Sequence, residues 1–204
     1  EPITAFEPGK VYLVEFWATW CGPCIAGMPH LSELEERYAD KGFAVLGVTS
    51  ADKSNSLERD KQMTADKGDV MGYRVAWDVE RRTNEAYMVA AGQNGIPCCF
   101  LVDKKGRIAY IGHPAWVDLA VAGVIDGTWN PDQGMKRIEE AKKDLQKVYG
   151  IEDPKESLRA IEDFLEEYPG LEGMVVDLRY EMHLRAGNAK EASKLGGELV
   201  EKAI

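Results

Sequence analysis

Val11-Tyr12-Leu13-Val14-Glu15-Phe16-Trp17-Ala18-Thr19-Trp20-Cys21-Gly22-Pro23-Cys24 carries a complete change of backbone state in one short stretch. Residues 11 to 17 are β-branched, aromatic or otherwise apolar except for Glu15, which is how a strand buried on both faces reads. Ala18 to Gly22 is a short turn. From Pro23 a helix is predicted to about Lys41, because Ile25, Met28, Leu31, Leu34 and Tyr38 recur every three or four residues. Pro23 suits the first helical turn, where its missing N–H is not needed. Pro29 falls inside the helix and predicts a kink. Asp40-Lys41-Gly42 ends the helix, and Phe43 to Val48 is a second apolar strand. The unit is βαβ, so its strands are expected to be parallel with a right-handed crossover.

Beyond this unit Ser50 to Gly68 is polar, with a helix expected over Ser56 to Lys67. Tyr73 to Trp77 is a third apolar run. A helix is expected over Arg81 to Ala90, before the turn Ala91-Gly92-Gln93-Asn94-Gly95. Cys98 to Val102 and Arg107 to Ile111 read as strands joined by the hairpin loop Asp103-Lys104-Lys105-Gly106. Trp116 to Ile125 closes this part as a helix. After about Gly127 the strand signals stop. Asn130-Pro131-Asp132 marks a helix start, with Ile138, Ala141, Leu145 and Val148 on one face. A second helix carries Leu158, Ile161, Leu165 and Tyr168, starting at Asp153-Pro154 and stopping at Pro169-Gly170. A third carries Leu171, Met174 or Val175, Leu178 and Met182. A fourth carries Ala189, Ala192, Leu195 and Leu199, weakened by Gly196-Gly197.

The 204 residues have a net charge of −10, with 45% hydrophobic and 29% charged side chains. That supports a packed core and argues against wholesale disorder. The acidic balance argues against binding duplex nucleic acid or a membrane surface through basic patches. It is shared evenly between the two halves and reads as a solvated surface. No stretch approaches the roughly 18 apolar residues of a membrane span. Without an initiator Met, a basic n-region or a signal-peptide h-region, the chain reads as a processed or trimmed product.

Four cysteines are too few for a disulfide scaffold. There is no second C-x-x-C and no closely spaced His pair, so a structural zinc site lacks ligands. The Cys21/Cys24 pair, however, lies at the end of a buried strand and in the first turn of a helix, which makes it a redox motif. There the unpaired N–H groups and the positive end of the helix dipole stabilise a thiolate at Cys21. Cys24, three residues on, shares its helix face, and a disulfide between them closes a tiny, reducible ring.

The segment Phe16 to Cys24 resembles the active-site motif of thioredoxin-fold proteins nearly residue for residue. Gly95-Ile96-Pro97, roughly 75 residues on, matches the second signature, a loop whose cis-proline faces the disulfide. Within that fold the chain resembles the TlpA/ResA-like redoxins of the AhpC/TSA/redoxin group, which carry an insertion where Ser50 to Gly68 sits. Cys24-Ile25-Ala26-Gly27-Met28-Pro29 is similar to that branch, although Ile25 replaces its usual basic residue. The resemblance covers about residues 3 to 127. It implies an α/β, thioredoxin-like fold, a central mixed β-sheet flanked by helices, over residues 1–128. Residues 129–204 lie outside it as an all-α extension resembling TPR-like helical hairpins. Asp153 and Asn188 are about one such repeat apart, and Ala189-Lys190-Glu191-Ala192 resembles its start. One and a half repeats cannot stand alone, so they are expected to cap the redox domain or to form a partner or homodimer surface.

The resemblance implies a thiol–disulfide oxidoreductase acting on protein disulfides and dithiols, fed by an upstream electron donor and needing no metal or organic cofactor. It points to an extracytoplasmic site in a bacterium. Cys21 matches the nucleophile, the more exposed sulfur, and Cys24 the buried resolving sulfur. Glu15 lies six residues before Cys21, where thioredoxins carry a buried Asp. Buried in that strand, its carboxyl would have a raised pKa and could shuttle the Cys24 proton. The alternative is an edge glutamate facing solvent. Pro97 matches the cis-proline, and the Ile96 backbone is expected to pair with substrate as an added strand. Trp20 borders the docking surface around Gly22 and Pro23, whereas Trp17 is packing.

Cys98 and Cys99 depart from the family, which commonly has Thr and another small or β-branched residue there. Adjacent in a strand, they point to opposite faces and read as small buried apolar residues. The alternative has Cys98 tuning or intercepting the disulfide. The competing function is a copper-binding or redox-inert scaffold whose helical tail is the working part, with His113 as a distant ligand. Copper chaperones of this fold resemble C-x3-C, however, and Gly112-His113-Pro114 reads as a loop. His30, beside Pro29, reads as a partly exposed packing residue. Thiol peroxidases resemble a P-x3-T-x2-C pattern that is missing here.

Overall fold

In the computed structural model of the chain, which describes residues 5–203, the opening apolar stretch forms β1 (Val11–Phe16), buried at every position. β2 (Phe43–Thr49) runs parallel to it, Val11 opposite Phe43 and Phe16 opposite Val48. Between them α1 (Gly22–Tyr38) buries Cys24, Met28, Leu31 and Leu34 and runs through Pro29. β3 (Arg74–Trp77) adds in parallel outside β2, while β4 (Cys98–Val102) lies antiparallel along the other side of β1. β5 (Ile108–Gly112) completes the hairpin with β4. The sheet order is β3-β2-β1-β4-β5, so β1 is central, with hydrogen-bond partners on both sides. A strand so placed and covered on both faces has no use for alternating polar residues. This mixed sheet flanked by helices is a thioredoxin-like fold.

Each face of the sheet has its own cover. Val14, Phe16, Leu46, Val48, Cys98 and Phe100 pack with Met88 and Tyr87 on one side. α1 packs on β2 and contributes nothing to that cluster, so Leu13, Glu15 and Cys99 face the α1 side. After the insertion helix α2 (Leu57–Lys67), capped by Ser56, the chain reaches the segment expected to be a regular helix over Arg81 to Ala90. It is irregular. Glu80 and Arg81 are both left-handed, α3 (Arg82–Asn84) is brief, and Glu85–Val89 is a π-turn closed by Ala90 N–H to Glu85 O at 3.1 Å. Asp78 explains the late start: its carboxylate accepts the N–H groups of Thr83 and Asn84 at 2.9 and 2.8 Å, capping the helix from beyond the turn. α4 (Asp118–Asp126) follows β5, tied to α1 by His30 Nε2 and Asp118 Oδ2 at 2.7 Å.

The chain divides into two compact units, one ending at Pro131 and one beginning at Asp132. The second is all helical: α5 (Pro131–Tyr149), α6 (Pro154–Glu167), α7 (Val176–Arg185) and α8 (Ala189–Ala203). Asp153 caps α6 through the N–H groups of Lys155 and Glu156. α8 continues through Gly196, where a side chain would come within 3.2 Å of the Tyr180 ring; the glycine lets α7 and α8 approach. Among the described residues no helix is long and apolar enough to cross a membrane.

Candidate active site

Cys21 closes the turn after β1 and is the N-cap residue of α1. Its backbone is extended, and its Sγ accepts the Cys24 N–H at 3.3 Å. It is disulfide-bonded to Cys24, with Cα atoms 5.3 Å apart. Pro23 stands in the first turn, which carries no acidic side chain, so the field at the helix N-terminus acts on Cys21 unopposed. As whole residues both are 3% exposed in this disulfide form. What separates the two is position, Cys21 at the helix end and Cys24 inside it.

The turn itself is held by residues that the sequence did not single out. Asn55 Oδ1 accepts the Thr19 hydroxyl at 2.6 Å and the Thr19 N–H at 3.3 Å, while its amide donates to Thr49 Oγ1 and Ser50 O at 2.8 Å each. Asn55 thus ties the turn to the end of β2 and is buried in doing so. Trp20, 55% exposed beside Cys21, donates its indole N–H to Asp52 Oδ2 at 2.8 Å. Burial pushes the Asp52 carboxyl upward, but hydrogen bonds from Ser54, Trp20 and Asn55 outweigh it and hold the group below the usual carboxylate range. A polar run such as Ser50 to Ser56 reads as solvated loop, so neither residue left a signal in the sequence.

The Ile96–Pro97 peptide is cis and leads directly into β4. Cys98 joins the apolar cluster with Phe16 and Met88, whereas Cys99 lies on the other face opposite Glu15. Both are free thiols, buried. Burial, with a further contribution from Glu15, pushes Cys98 up to about 11. Cys99 lies well above the ordinary thiol range for the same leading reason.

Glu15 is 2% exposed in the central strand, which removes the edge-strand alternative. Desolvation pushes its carboxyl up to about 8. On β2 its register partner is Gly47, where a Cβ would meet the Tyr73 ring at 3.1 Å and Trp17 Nε1 at 3.2 Å. The missing side chain lets both rings close over this layer. Trp17 Nε1 and the Tyr73 hydroxyl are buried there without a hydrogen-bond partner. Burial first, then the charges of Glu15 and Glu35, raise the Tyr73 phenol. Glu15 therefore shares a buried layer with two donors that have no partner within the protein.

The histidines lie elsewhere. His113 Nδ1 accepts the Ala115 N–H, and its carbonyl accepts the Tyr110 hydroxyl. Among the described residues no group of three or more His, Cys, Asp and Glu is placed to hold a metal ion.

Residues 3–118 match the Redoxin family. The thiol-disulfide oxidoreductase ResA of Bacillus thuringiensis (strain Al Hakam) is 30% identical over 100 residues, 49% of this chain and 53% of that protein. The thioredoxin-like protein YneN of Bacillus subtilis (strain 168) is 38% identical over 102 residues, 49% of this chain and 54% of that protein. The chain thus spans about half the length of these relatives. Among solved structures, a hypothetical protein SMc02350 from Sinorhizobium meliloti 1021 has a TM-score of 0.50 at 24% identity, covering 58% of this chain and 71% of that one. That likeness concerns the fold.

Proposed function

The chain belongs to the Redoxin family, and on that premise we propose that it is a thiol–disulfide oxidoreductase acting on protein disulfides. The observation that carries this reading is the Cys21–Cys24 disulfide at the N-terminus of α1, with the Cys21 sulfur already accepting the Cys24 N–H. That donor and the helix dipole lower the pKa of the reduced Cys21 thiol. The Cys21 thiolate attacks one sulfur of a substrate disulfide and expels the other as a thiolate. Cys24, once deprotonated, attacks the Cys21 sulfur of this mixed disulfide, which closes the Cys21–Cys24 bond and frees the substrate dithiol. Glu15 in its ionised form accepts the Cys24 proton, and with its pKa pushed up to about 8 this acceptance grows as pH rises towards that value.

Substrate docks against Trp20, Gly22 and Pro23 and pairs with the Ile96 backbone beside Pro97 as an added strand segment. An upstream dithiol donor resets the disulfide. Residues 1–128 carry the exchange, and residues 129–204 form a cap or a surface for a partner or a second copy. The test is turbidimetric reduction of insulin by dithiothreitol with catalytic amounts of protein. Acceleration that vanishes in Cys21→Ser supports the reading; no acceleration by the unaltered protein overturns it.

A further inference from the structure

A cavity of about 550 Å³ opens beside the cis-proline loop, and Trp20, Gly95, Ile96, Asp52, Asp78 and Arg81 are among the residues that line it. Its lining contains an anomaly. Among the described residues the non-glycine positions with positive φ are Glu80 and Arg81, consecutive and both at 59°. A Cβ disfavours that conformation, and two in succession persist only when the surroundings impose them. Asp78 imposes them here. It is buried, its N–H donates to Thr49 O at 2.7 Å, and its two oxygens hold the N–H groups of Thr83 and Asn84 beyond the turn. A position where glycine would be unstrained instead carries an arginine, next to the expected substrate track.

Three charged side chains line the cavity, Asp52, Asp78 and Arg81, and they differ in how far their hydrogen bonds are used. Asp52 already accepts Trp20 Nε1 and the Ser54 N–H, and both Asp78 oxygens are taken by backbone. Arg81 spends one nitrogen on Asn84 Oδ1 at 3.0 Å, out of a guanidinium with five donors. That bond orients the fork and leaves donors for a carboxylate. Arg81 is the one Lys or Arg among the residues that line the cavity; its charge also helps to lower the Asp52 carboxyl, but no hydrogen bond joins the two.

We propose that Arg81 is a specificity-determining residue, binding an Asp or Glu side chain of a substrate peptide seated in the cavity beside Ile96. This rests on the oxidoreductase reading above. It places an acidic residue near the reactive cysteine of preferred substrates.

The test uses three peptides that carry the same intramolecular disulfide and differ in one flanking residue, Glu, Gln or Lys. The reduced full chain is mixed with each, and kcat/KM is measured for the unaltered protein, Arg81→Gln and Arg81→Glu. For a partly exposed ion pair the expected preference for Glu over Gln is about two- to fivefold, carried by KM, with Lys below Gln. The preference should shrink with added salt, vanish in Arg81→Gln and reverse in Arg81→Glu. Equal rates for the three peptides, or a preference that survives in Arg81→Gln, overturn the proposal and leave the oxidoreductase reading standing. No exchange with any peptide overturns both. Circular dichroism of the variants identifies any that misfold, in which case Arg81→Lys, which keeps the charge and loses the fork, must retain the sign of the preference.

Discussion

Glu15 on β1 and Cys99 on β4 stand directly opposite each other in the antiparallel ladder, both buried on the α1 side of the sheet. Neither group has a solvent layer to stabilise a negative charge. Burial lifts the carboxyl to about 8, and burial first, with the charge of Glu15 among the smaller causes, lifts the thiol well beyond its ordinary range. At neutral pH the layer therefore holds a protonated acid and an inert thiol.

Stability should fall with pH because of Glu15. Below the ordinary glutamate value of 4.5 the group is protonated in both states, and its contribution is fully present. Between 4.5 and about 8 the unfolded chain releases this proton while the folded chain keeps it. Stability then declines by at most about 1.4 kcal/mol per pH unit, and the loss is complete above the folded value. Urea unfolding of the disulfide form from pH 5 to 9 measures this. Glu15→Gln should flatten the decline; an identical slope in both proteins would remove Glu15 as its source.

Mixed-disulfide trapping separates the two active-site sulfurs. Cys21→Ser should be inactive, whereas Cys24→Ser should attack substrate once and accumulate as an adduct seen by mass spectrometry. Resolution measured by stopped flow should speed up as pH rises through about 8, where Glu15 ionises. In Glu15→Gln it should slow at pH 8 by about tenfold or more. Trapping by Cys21→Ser instead would reverse the assignment, and an unchanged resolution rate would reduce Glu15 to a strand residue.

Cys98 and Cys99 are expected to be spectators. Replacing both by Ala or Thr should leave insulin reduction within a few fold. Iodoacetamide at pH 7 should label the reduced folded protein at Cys21 and spare both buried thiols, because burial pushes Cys98 up to about 11 and Cys99 well above the ordinary thiol value. A loss as large as that of Cys21→Ser would make one of them catalytic.

Asn55→Ala should cost about 1–3 kcal/mol, because the part-buried Thr19 hydroxyl and the buried Thr49 hydroxyl lose their partner. The same change frees the turn that carries Cys21, so the first attack should slow at unchanged Cys21 pKa. Rates and thiol titration of the folded variant check both parts.

A chain ending after Pro131 should retain most exchange activity per folded molecule. The end point matters, since Trp129 Nε1 donates to Ala109 O at 2.9 Å and packs on Gly123. Cutting at Gly127 would strip that cover from β5. Loss of activity in a shortened chain still folded by circular dichroism would give the helices a part in the reaction.

Much of the molecule is legible from the chain alone because its signals are local. The apolar run of β1, the period of α1, the Asp153-Pro154 start of α6 and the helix-end setting of Cys21 each depend on neighbours within a few residues. Strand alternation is enough to send Cys98 and Cys99 to opposite faces. What lies on those faces is a matter of long-range pairing. The βαβ pattern pairs β1 with β2, and the hairpin loop pairs β4 with β5, but neither states that β4 lies against the free side of β1. That antiparallel contact puts Cys99 opposite Glu15 and leaves the carboxyl in the middle of the sheet. Asn55 under the active-site turn and Asp78 behind Arg81 went unread for a related reason. Each is a polar residue in a polar stretch, and its role is defined by the backbone groups that folding brings to it from β2 and from the start of α3. Such partners, from five to 36 residues away, leave no periodicity behind; only the packed chain selects them.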